Sequence, residues 1–329
     1  MRKSDVNSLS EKVKKDIQLY SKKRNHLTST SVPPKSVMIT ECPRDAMQGI
    51  RPFISTEKKA RYINALLKVG FDIIDFGSFV SPKAIPQLRD TGEVLKRLEM
   101  DETTTKLLAI VGNIRGGNDA ASFPEISIMG FPYSVSDTFL QRNLGSSIEK
   151  STNTIKELLT VCEQSRKELQ VYISMGFGNP YDEDWNVDMT AKCALDLIDM
   201  GVKRIGLSDT IGSSTVTAIT ELFSFLVPLF PDIEFSFHMH TSVRHWYRKL
   251  NAAWESGCRS FDTVINGLGG CPAADEGQLV GNLRTANLLE FLEIKGIQTN
   301  IDEAAFLKAV FLALKTFPSA SIFKSDEQN

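Results

Sequence analysis

Val171-Tyr172-Ile173-Ser174-Met175, Arg204-Ile205-Gly206-Leu207 and Ile233-Glu234-Phe235-Ser236-Phe237 are three short β-rich runs, separated by helical patterning over residues 190–200 and 216–229. Strand, helix, strand, helix, strand is the unit of a parallel sheet, because parallel neighbours need a long crossover and a helix is the usual one. The same alternation continues outward in both directions. Runs at 37–40, 73–76, 107–111 and 126–129 precede it and one at 261–265 follows, with helical stretches that include 57–69, 148–169 and 244–256. Eight such units predict an α/β fold, a closed (β/α)8 TIM barrel, over an open doubly wound sheet. Patterning at 288–292 and 304–314 predicts a final barrel helix and an extra C-terminal helix. No stretch rich in Pro, Gly or Ser divides the body, so residues 35–329 are expected to form one catalytic domain.

The composition is that of an ordinary globular protein, 42% hydrophobic and 24% charged over 329 residues. A net charge of −2 gives no electrostatic ground for a nucleic acid or an anionic membrane as partner. No apolar run approaches the roughly 18 residues of a membrane span, and no leader pattern marks secretion. Five cysteines, Cys42, Cys162, Cys193, Cys258 and Cys271, are odd in number and form no CxxC pair, which fits a reducing cytoplasm. Residues 1–34 read as a separate basic extension. The first 35 residues hold nine Lys/Arg against three Asp/Glu, and Val6, Leu9, Val13, Ile17 and Tyr20 fall at helical spacing before Pro33-Pro34. Transit peptides are Arg-rich and poor in acids, whereas this segment is Lys-rich and contains Asp5, Glu11 and Asp16. A surface or packing helix is therefore expected in preference to a mitochondrial-matrix signal.

In such barrels the chemistry sits at the C-terminal ends of the strands and on the loops that follow. Arg44 and Asp45 follow the first run, Asp75 ends the second, Asp209 follows the sixth, His238 and His240 end the seventh, and Cys271 follows the eighth. Alternation along a strand turns both imidazoles to one face and Met239 to the other. With the Asp45 carboxylate and the Asn282 amide oxygen they make a nitrogen and oxygen set without thiolate, which suits Mg2+ or Mn2+ better than structural zinc. Arg44 either pairs with a neighbouring acid or offers a charged fork to an oxyanion. Asp209 either caps the next helix or acts as a general base. Cys271 follows Gly267-Leu268-Gly269-Gly270 and precedes Pro272, a loop shaped for close approach to a ligand; the plain alternative is a small buried hydrophobe.

These motifs together resemble the 3-hydroxy-3-methylglutaryl-CoA lyases, within the metal-dependent barrel family that also includes isopropylmalate and homocitrate synthases. The stretch from Gly267 to Pro272 resembles the lyase loop, and Pro43-Arg44-Asp45-Ala46-Met47-Gln48 is similar to its PRDGLQ. Ser78-Phe79-Val80-Ser81-Pro82-Lys83 and Asp209-Thr210-Ile211-Gly212 match its SFVSPK and DTIG, and His238-Met239-His240 is similar to its HCH. The resemblance spans about residues 35 to 313. It implies a divalent-metal-dependent retro-Claisen lyase, of the leucine-degradation type, that cleaves 3-hydroxy-3-methylglutaryl-CoA or a close analogue to acetyl-CoA and a 3-oxo acid such as acetoacetate. Carried over residue by residue, it implies Asp45, His238, His240 and Asn282 as metal ligands, Arg44 on the thioester enolate, Cys271 in proton transfer and Asp209 at the tertiary alcohol. Gln48, Ser78 and Asn143 match positions near the acyl group or its pantetheine, and a dimer or tetramer of the chain is expected.

Departures fall around the substrate. Asp75 stands where the lyases carry Glu, Thr241-Ser242 replaces Asp-Thr after the second histidine, Ser208 replaces Gly, and the loop between Cys271 and Asn282 is about two residues longer. Two rival readings are a condensing synthase of the same family and a catalytically silent acyl-CoA-binding protein. Too little chain follows the barrel for the additional domain of many synthases, and the retained metal candidates with Arg44 and Cys271 argue against silence.

Overall fold

Each of the eight β-rich runs becomes a strand buried on both faces, as expected where helices cover the outside of a parallel sheet. The strands are β1 (Met38–Glu41), β2 (Ile73–Ser78), β3 (Lys106–Ile110), β4 (Ile126–Ser134), β5 (Glu168–Ser174), β6 (Arg204–Asp209), β7 (Glu234–Met239) and β8 (Ser260–Thr263). They close in sequence order into a barrel, with β8 paired to β1 from Met38↔Ser260 to Glu41↔Thr263. The computed structural model describes residues 37–270 and 280–317, so the basic extension expected over 1–34 lies outside the described residues.

The helices are α1 (Pro43–Gln48), α2 (Thr56–Leu67), α3 (Thr91–Leu95), α4 (Ile114–Ala121), α5 (Asp137–Leu144), α6 (Ile148–Ser165), α7 (Val187–Asp199), α8 (Val216–Leu229), α9 (Trp246–Glu255), α10 (Thr285–Ile294) and α11 (Glu303–Thr316). Outward side chains such as Met129, Val171, Ile205 and Phe237 form the main core between barrel and helices. A smaller core of Ile73, Leu108, Ile110, Ile128 and Tyr172 fills the barrel itself. Tyr172 fits there because position 206 is glycine: a Cβ on Gly206 would stand 2.5 Å from the ring. The extra C-terminal helix, α11, packs on α2.

Three boundaries differ from the sequence reading. The helix expected over 148–169 stops at Ser165, because Arg166 turns left-handed (φ 55°) and Lys167 N–H closes onto the Cys162 carbonyl at 2.8 Å. That leaves Glu168 free to begin β5. Asp75 does not end β2 but sits in its middle, since the strand runs on to Ser78 past a register shift between Asp75 and Gly77. Pro43-Arg44-Asp45, expected at the end of the first strand, opens α1, where proline at the first helical position loses no hydrogen bond.

Glu41 ties the seam to the loop after β8. Its side chain is fully buried and accepts from Thr285 Oγ1 (2.6 Å), Ile265 N (2.7 Å) and Thr263 Oγ1 (3.2 Å). Burial pushes its carboxyl up to about 7, against those three donors, which favour the charged form. The folded state therefore holds a proton that the unfolded state releases near pH 4.5, and stability falls as pH rises from about 4.5 to about 7. Glu41→Gln removes this titration. Urea denaturation at pH 4.5 and 7.5 is expected to show the variant gaining about 3 kcal/mol on the parent between those values. A difference that does not change with pH would place the buried proton elsewhere.

Candidate active site

At the C-terminal mouth of the barrel the short helix α1 brings both Arg44 and Asp45 to Gln48, which lies four residues after the first and three after the second and so shares a helix face with each. Arg44 Nη1 contacts Asp45 Oδ1 at 3.2 Å and Gln48 Oε1 at 3.0 Å, and Gln48 Nε2 donates to Asp45 Oδ1 at 2.6 Å. The other edge of the guanidinium grips Asp75 in β2, through Nε at 2.9 Å and Nη2 at 2.5 Å to Oδ2. Burial opposes the charge on both partners, yet the mutual attraction holds Arg44 protonated, and Asp75, pushed up by burial to about 6, stays ionised at neutral pH. Burial also opposes the charge on Asp45, but Arg44, ahead of His238 and His240, holds its carboxyl below the ordinary value.

The two histidines meet across this group. His238 Nδ1 lies 3.0 Å from Asp262 Oδ2, and His240 Nδ1 lies 2.8 Å from the Val280 carbonyl. Carboxylate and carbonyl oxygens can only accept, so each Nδ1 carries the hydrogen and each Nε2 keeps its lone pair. Those two Nε2 atoms face one another at 3.2 Å, and a carboxylate oxygen of Asp45 joins them within 4.8 Å. Two lone pairs at that distance repel unless a proton or a cation lies between them. Burial lowers the His240 pKa to about 4, with His238 adding to the effect, so His240 resists a shared proton; burial likewise opposes charge on His238, but the Asp262 contact outweighs it and raises that value. Three buried carboxylates, Asp45, Asp75 and Asp262, stand against one guanidinium here. The donor set fits a divalent cation on both counts.

Asn282 stands beside the group with its nitrogen foremost. Its Nδ2 donates to Asp45 Oδ2 at 2.6 Å and to the Leu268 carbonyl at 2.9 Å. The amide oxygen expected as a ligand therefore points away, and it would reach the cluster only if the amide turned and gave up Leu268. Gly269 makes room for this packing: with φ +111°, a Cβ there would lie 2.4 Å from Asn282 Nδ2 and 2.6 Å from Asp45 Oδ2. Leu268 and Gly269 thus bring the glycine loop against Asp45. Cys271 itself lies outside the described residues.

The remaining candidates are distributed differently. Asp209, the last residue of β6, is fully buried and lies behind His240, whose backbone N–H donates to the Asp209 carbonyl at 3.3 Å. It does not cap α8, whose N-terminus is capped by Thr215. Ser78 is buried, with its hydroxyl donated to the Ile110 carbonyl at 3.1 Å. Asn143 is exposed on the last turn of α5, apart from the buried cluster.

Sequence reasoning missed Asp262 and Lys249. Asp262 fixes the His238 tautomer, the usual task of a carboxylate behind a metal-binding imidazole. The signal was available, because an aspartate within the apolar run 261–265 has no place on the core face of a strand. Its Oδ1 and the Tyr172 hydroxyl, both buried, have no hydrogen-bond partner among the described residues, so the barrel floor beneath the histidines keeps polar capacity in reserve. Cys42, His238 and Asp262 also approach one another as a possible metal group. Burial, ahead of the nearby carboxylates, drives the Cys42 thiol far above its ordinary value, so it offers no thiolate.

A family model described as HMGL-like matches residues 37–311. The hydroxymethylglutaryl-CoA lyase of Bacillus subtilis is 31% identical over 277 residues, which cover 84% of this chain and 91% of that protein. A Pseudomonas aeruginosa protein named 3-hydroxy-3-isohexenylglutaryl-CoA/hydroxymethylglutaryl-CoA lyase is 31% identical over 279 residues, with the same coverage. The solved structure of an HMG-CoA lyase from Acinetobacter baumannii in complex with coenzyme A and 3-methylmalate superposes with a TM-score of 0.79 at 26% identity, covering 91% of this chain and 95% of that one.

Proposed function

This chain belongs to the HMGL-like family of hydroxymethylglutaryl-CoA lyases, and from that premise we propose that it is a divalent-metal-dependent carbon–carbon lyase that splits a 3-hydroxy-3-methylglutaryl-CoA-like thioester into acetyl-CoA and a 3-oxo acid. The observation that carries the reading is the pair of imidazole lone pairs converging at 3.2 Å beside Asp45, with Arg44 gripping the same carboxylate. Asp45, His238 and His240 would hold the ion, taken as Mg2+ or Mn2+ from its oxygen and imidazole donors. Asn282 orients Asp45 and is the further ligand proposed. A divalent ion held there supplies Lewis acidity toward the C3 hydroxyl of the substrate.

Asp209 takes the hydroxyl proton, the C2–C3 bond breaks, and its electron pair passes into the thioester as an enolate. Arg44, always charged and held rigidly by Asp75, stabilises the enolate oxygen. A proton delivered at C2, the role proposed for Cys271, completes acetyl-CoA, while C3 leaves as the ketone of the 3-oxo acid. Gln48, Ser78 and Asn143 are proposed along the acyl and pantetheine path. Incubating the purified protein with Mg2+ or Mn2+ and a panel of 3-hydroxyacyl-CoA thioesters, with products weighed by mass spectrometry, tests the reading. Absence of cleavage across the panel would defeat it.

Asp75 bears on the choice of substrate. Because Arg44 is clamped directly onto Asp75, a longer acid at that position would push the guanidinium further into the site. The short acid leaves space for a C3 substituent larger than methyl. Asp75→Glu is expected to shift the ratio of kcat/KM values toward the methyl substrate by about 1–3 kcal/mol, the scale of a methylene in a pocket. Measuring 3-methyl against longer 3-alkyl thioesters in both proteins decides the point, and an unchanged ratio removes Asp75 as the determinant.

A homo-oligomer, dimer or tetramer, is proposed on the exposed apolar stripe of α11, Leu307, Phe311 and Leu314, and light scattering measures it. A cytoplasmic setting is proposed from Cys42, Cys162, Cys193 and Cys258, which are all unpaired. Among the described residues no helix is long and apolar enough to cross a membrane.

A further inference from the structure

Most buried serines of the barrel strands have hydrogen-bond partners. Ser78 donates to the Ile110 carbonyl at 3.1 Å, Ser134 to the Ser174 carbonyl at 2.9 Å and Ser260 to Glu234 Oε1 at 3.3 Å, while Ser236 accepts from Gln170 Nε2 at 3.4 Å. Ser174 of β5 and Ser208 of β6 differ. Among the described residues neither hydroxyl meets a partner, and neither is sealed in as Tyr172 Oη and Asp262 Oδ1 are. A hydroxyl without a partner at this depth, 3% exposed at Ser208 and 7% at Ser174, is the exception in a folded protein and calls for a reason.

The strand register supplies one. Tyr172 and Gly206 face the barrel interior, where the tyrosine ring fills the space a Cβ at 206 would take. Two residues further along each strand, Ser174 and Ser208 share that inward face, side by side just past the pair Ile173↔Leu207. Ser208 is in turn the partner of His238 in β7, whose other partner is Asp262 in β8. The hydroxyls therefore lie along the β6 flank of His238, away from Asp262, on strands about 4.8 Å apart. Ring order sets β5 and β6 across the mouth from β1 and β2, where Arg44 is clamped on Asp75. Asp209, next along β6, pairs with Met239 and takes up Lys249, whose Nζ lies 2.8 Å from Oδ2 and 2.8 Å from the Gly212 carbonyl. That ammonium is already engaged, which leaves the two hydroxyls as side-chain donors on this wall.

We propose that Ser208 and Ser174 are substrate-binding residues whose hydroxyls donate to the distal carboxylate of the thioester, the acid group that leaves in the 3-oxo acid. The proposal rests on the lyase reading above, in which Arg44 stabilises the thioester oxygen. A substrate lying across the ion from Arg44 carries its acid end to the opposite wall, which is that of β5 and β6. A carboxylate only accepts hydrogen bonds, and two hydroxyls on neighbouring strands can serve its two oxygens. Serine stands at 208 where the lyase motif has glycine, so that donor is an addition of this chain. Neither hydroxyl takes part in bond breaking.

The test compares the parent with Ser208→Ala, Ser208→Gly and Ser174→Ala, each assayed with Mg2+ on the thioester that the panel identifies and on the methyl ester of its distal carboxylate. Each alanine variant is expected to reduce the preference for the acid over the ester by about 10-fold, through KM on the acid, with kcat within about threefold of the parent. Their Tm should stay within about 2 °C of the parent, since no hydrogen bond inside the protein is lost. An unchanged preference in either alanine variant overturns the proposal for that serine. A change in Ser208→Gly without one in Ser208→Ala overturns it as well, by assigning the effect to volume. Calorimetric titration of the Mn2+-loaded protein with 3-hydroxy-3-methylglutarate, the acid without CoA, reads the same contact without turnover. The parent is expected to bind it about 10-fold more tightly than Ser208→Ala. If the parent cleaves no thioester, the functional reading fails, while the titration still decides the contact: weaker binding by Ser208→Ala upholds it, and equal affinities or no binding by the parent overturn it.

Discussion

His238→Ala abolishes cleavage, with turnover expected to fall by at least about 1,000-fold, because it removes one of three converging ligands of the proposed metal site. The loss extends past the ligand itself. Asp262 accepts from His238 Nδ1, and with the imidazole gone its second oxygen joins Oδ1 as a buried acceptor without a partner. His240 would remain in place, anchored through Nδ1 to the Val280 carbonyl. One imidazole and one carboxylate then hold an ion poorly, so calorimetric titration with Mn2+ is expected to show affinity at least about 10-fold weaker than in the parent. The fold should survive, since His238 contributes to no apolar cluster and its backbone pairing in β7 is unaffected. A variant that keeps turnover within about tenfold of the parent would sink the proposed role of His238 in the site.

Arg44→Lys retains the charge and loses the fork. In the parent the guanidinium satisfies Asp75 along one edge and reaches Asp45 and Gln48 with the other. An ammonium cannot span both edges, so either Asp75 or Asp45 gives up its partner. Turnover is expected to drop by about 100–1,000-fold, the cost of losing a donor aimed at a developing oxyanion. Arg44→Met goes further: it strands the buried Asp75 and leaves Asp45 to its amide donors Gln48 and Asn282 without a counter-charge, at a cost to stability of about 3–5 kcal/mol. Kinetics on Arg44→Lys and chemical denaturation of Arg44→Met separate the two effects. Turnover of Arg44→Lys within about threefold of the parent would show that charge alone suffices.

The eight strands were legible because each is a short apolar run bounded by polar or turn residues, and a strand buried on both faces cannot look otherwise. Helix ends were less legible where no glycine or proline marks them. Arg166 turns left-handed with no cue in its own identity, and the helix was accordingly carried four residues too far. The apolar run around Asp75 breaks off at Phe76, whereas β2 continues to Ser78 through a register shift between Asp75 and Gly77, so Asp75 lies inside the strand and not at its end. Arg44, Asp45, His238 and His240 could be gathered in advance, since a closed barrel brings all strand ends to one rim. The partners that tune them could not. Asp262 meets His238 from 24 residues away, and Lys249 meets Asp209 from 40, through packing that no local pattern encodes. The nitrogen-first pose of Asn282 depends on the Leu268 carbonyl, a backbone atom that no motif can indicate.

The seam between β1 and β8 gives the metal candidates a second significance. Asp45 stands a few residues after the first strand, and His238 and His240 stand at the seventh, so these side chains become neighbours only when the two ends of the chain meet. Pairings of such long sequence separation are costly to close and are formed late in folding. An ion bound there would be a rivet across the last joint of the ring, absent from every open form of the chain. Bound at about a hundred times its dissociation constant, it would add about 2.7 kcal/mol to the closed state, so the reagent that switches the chemistry on would also be the one that keeps the barrel shut.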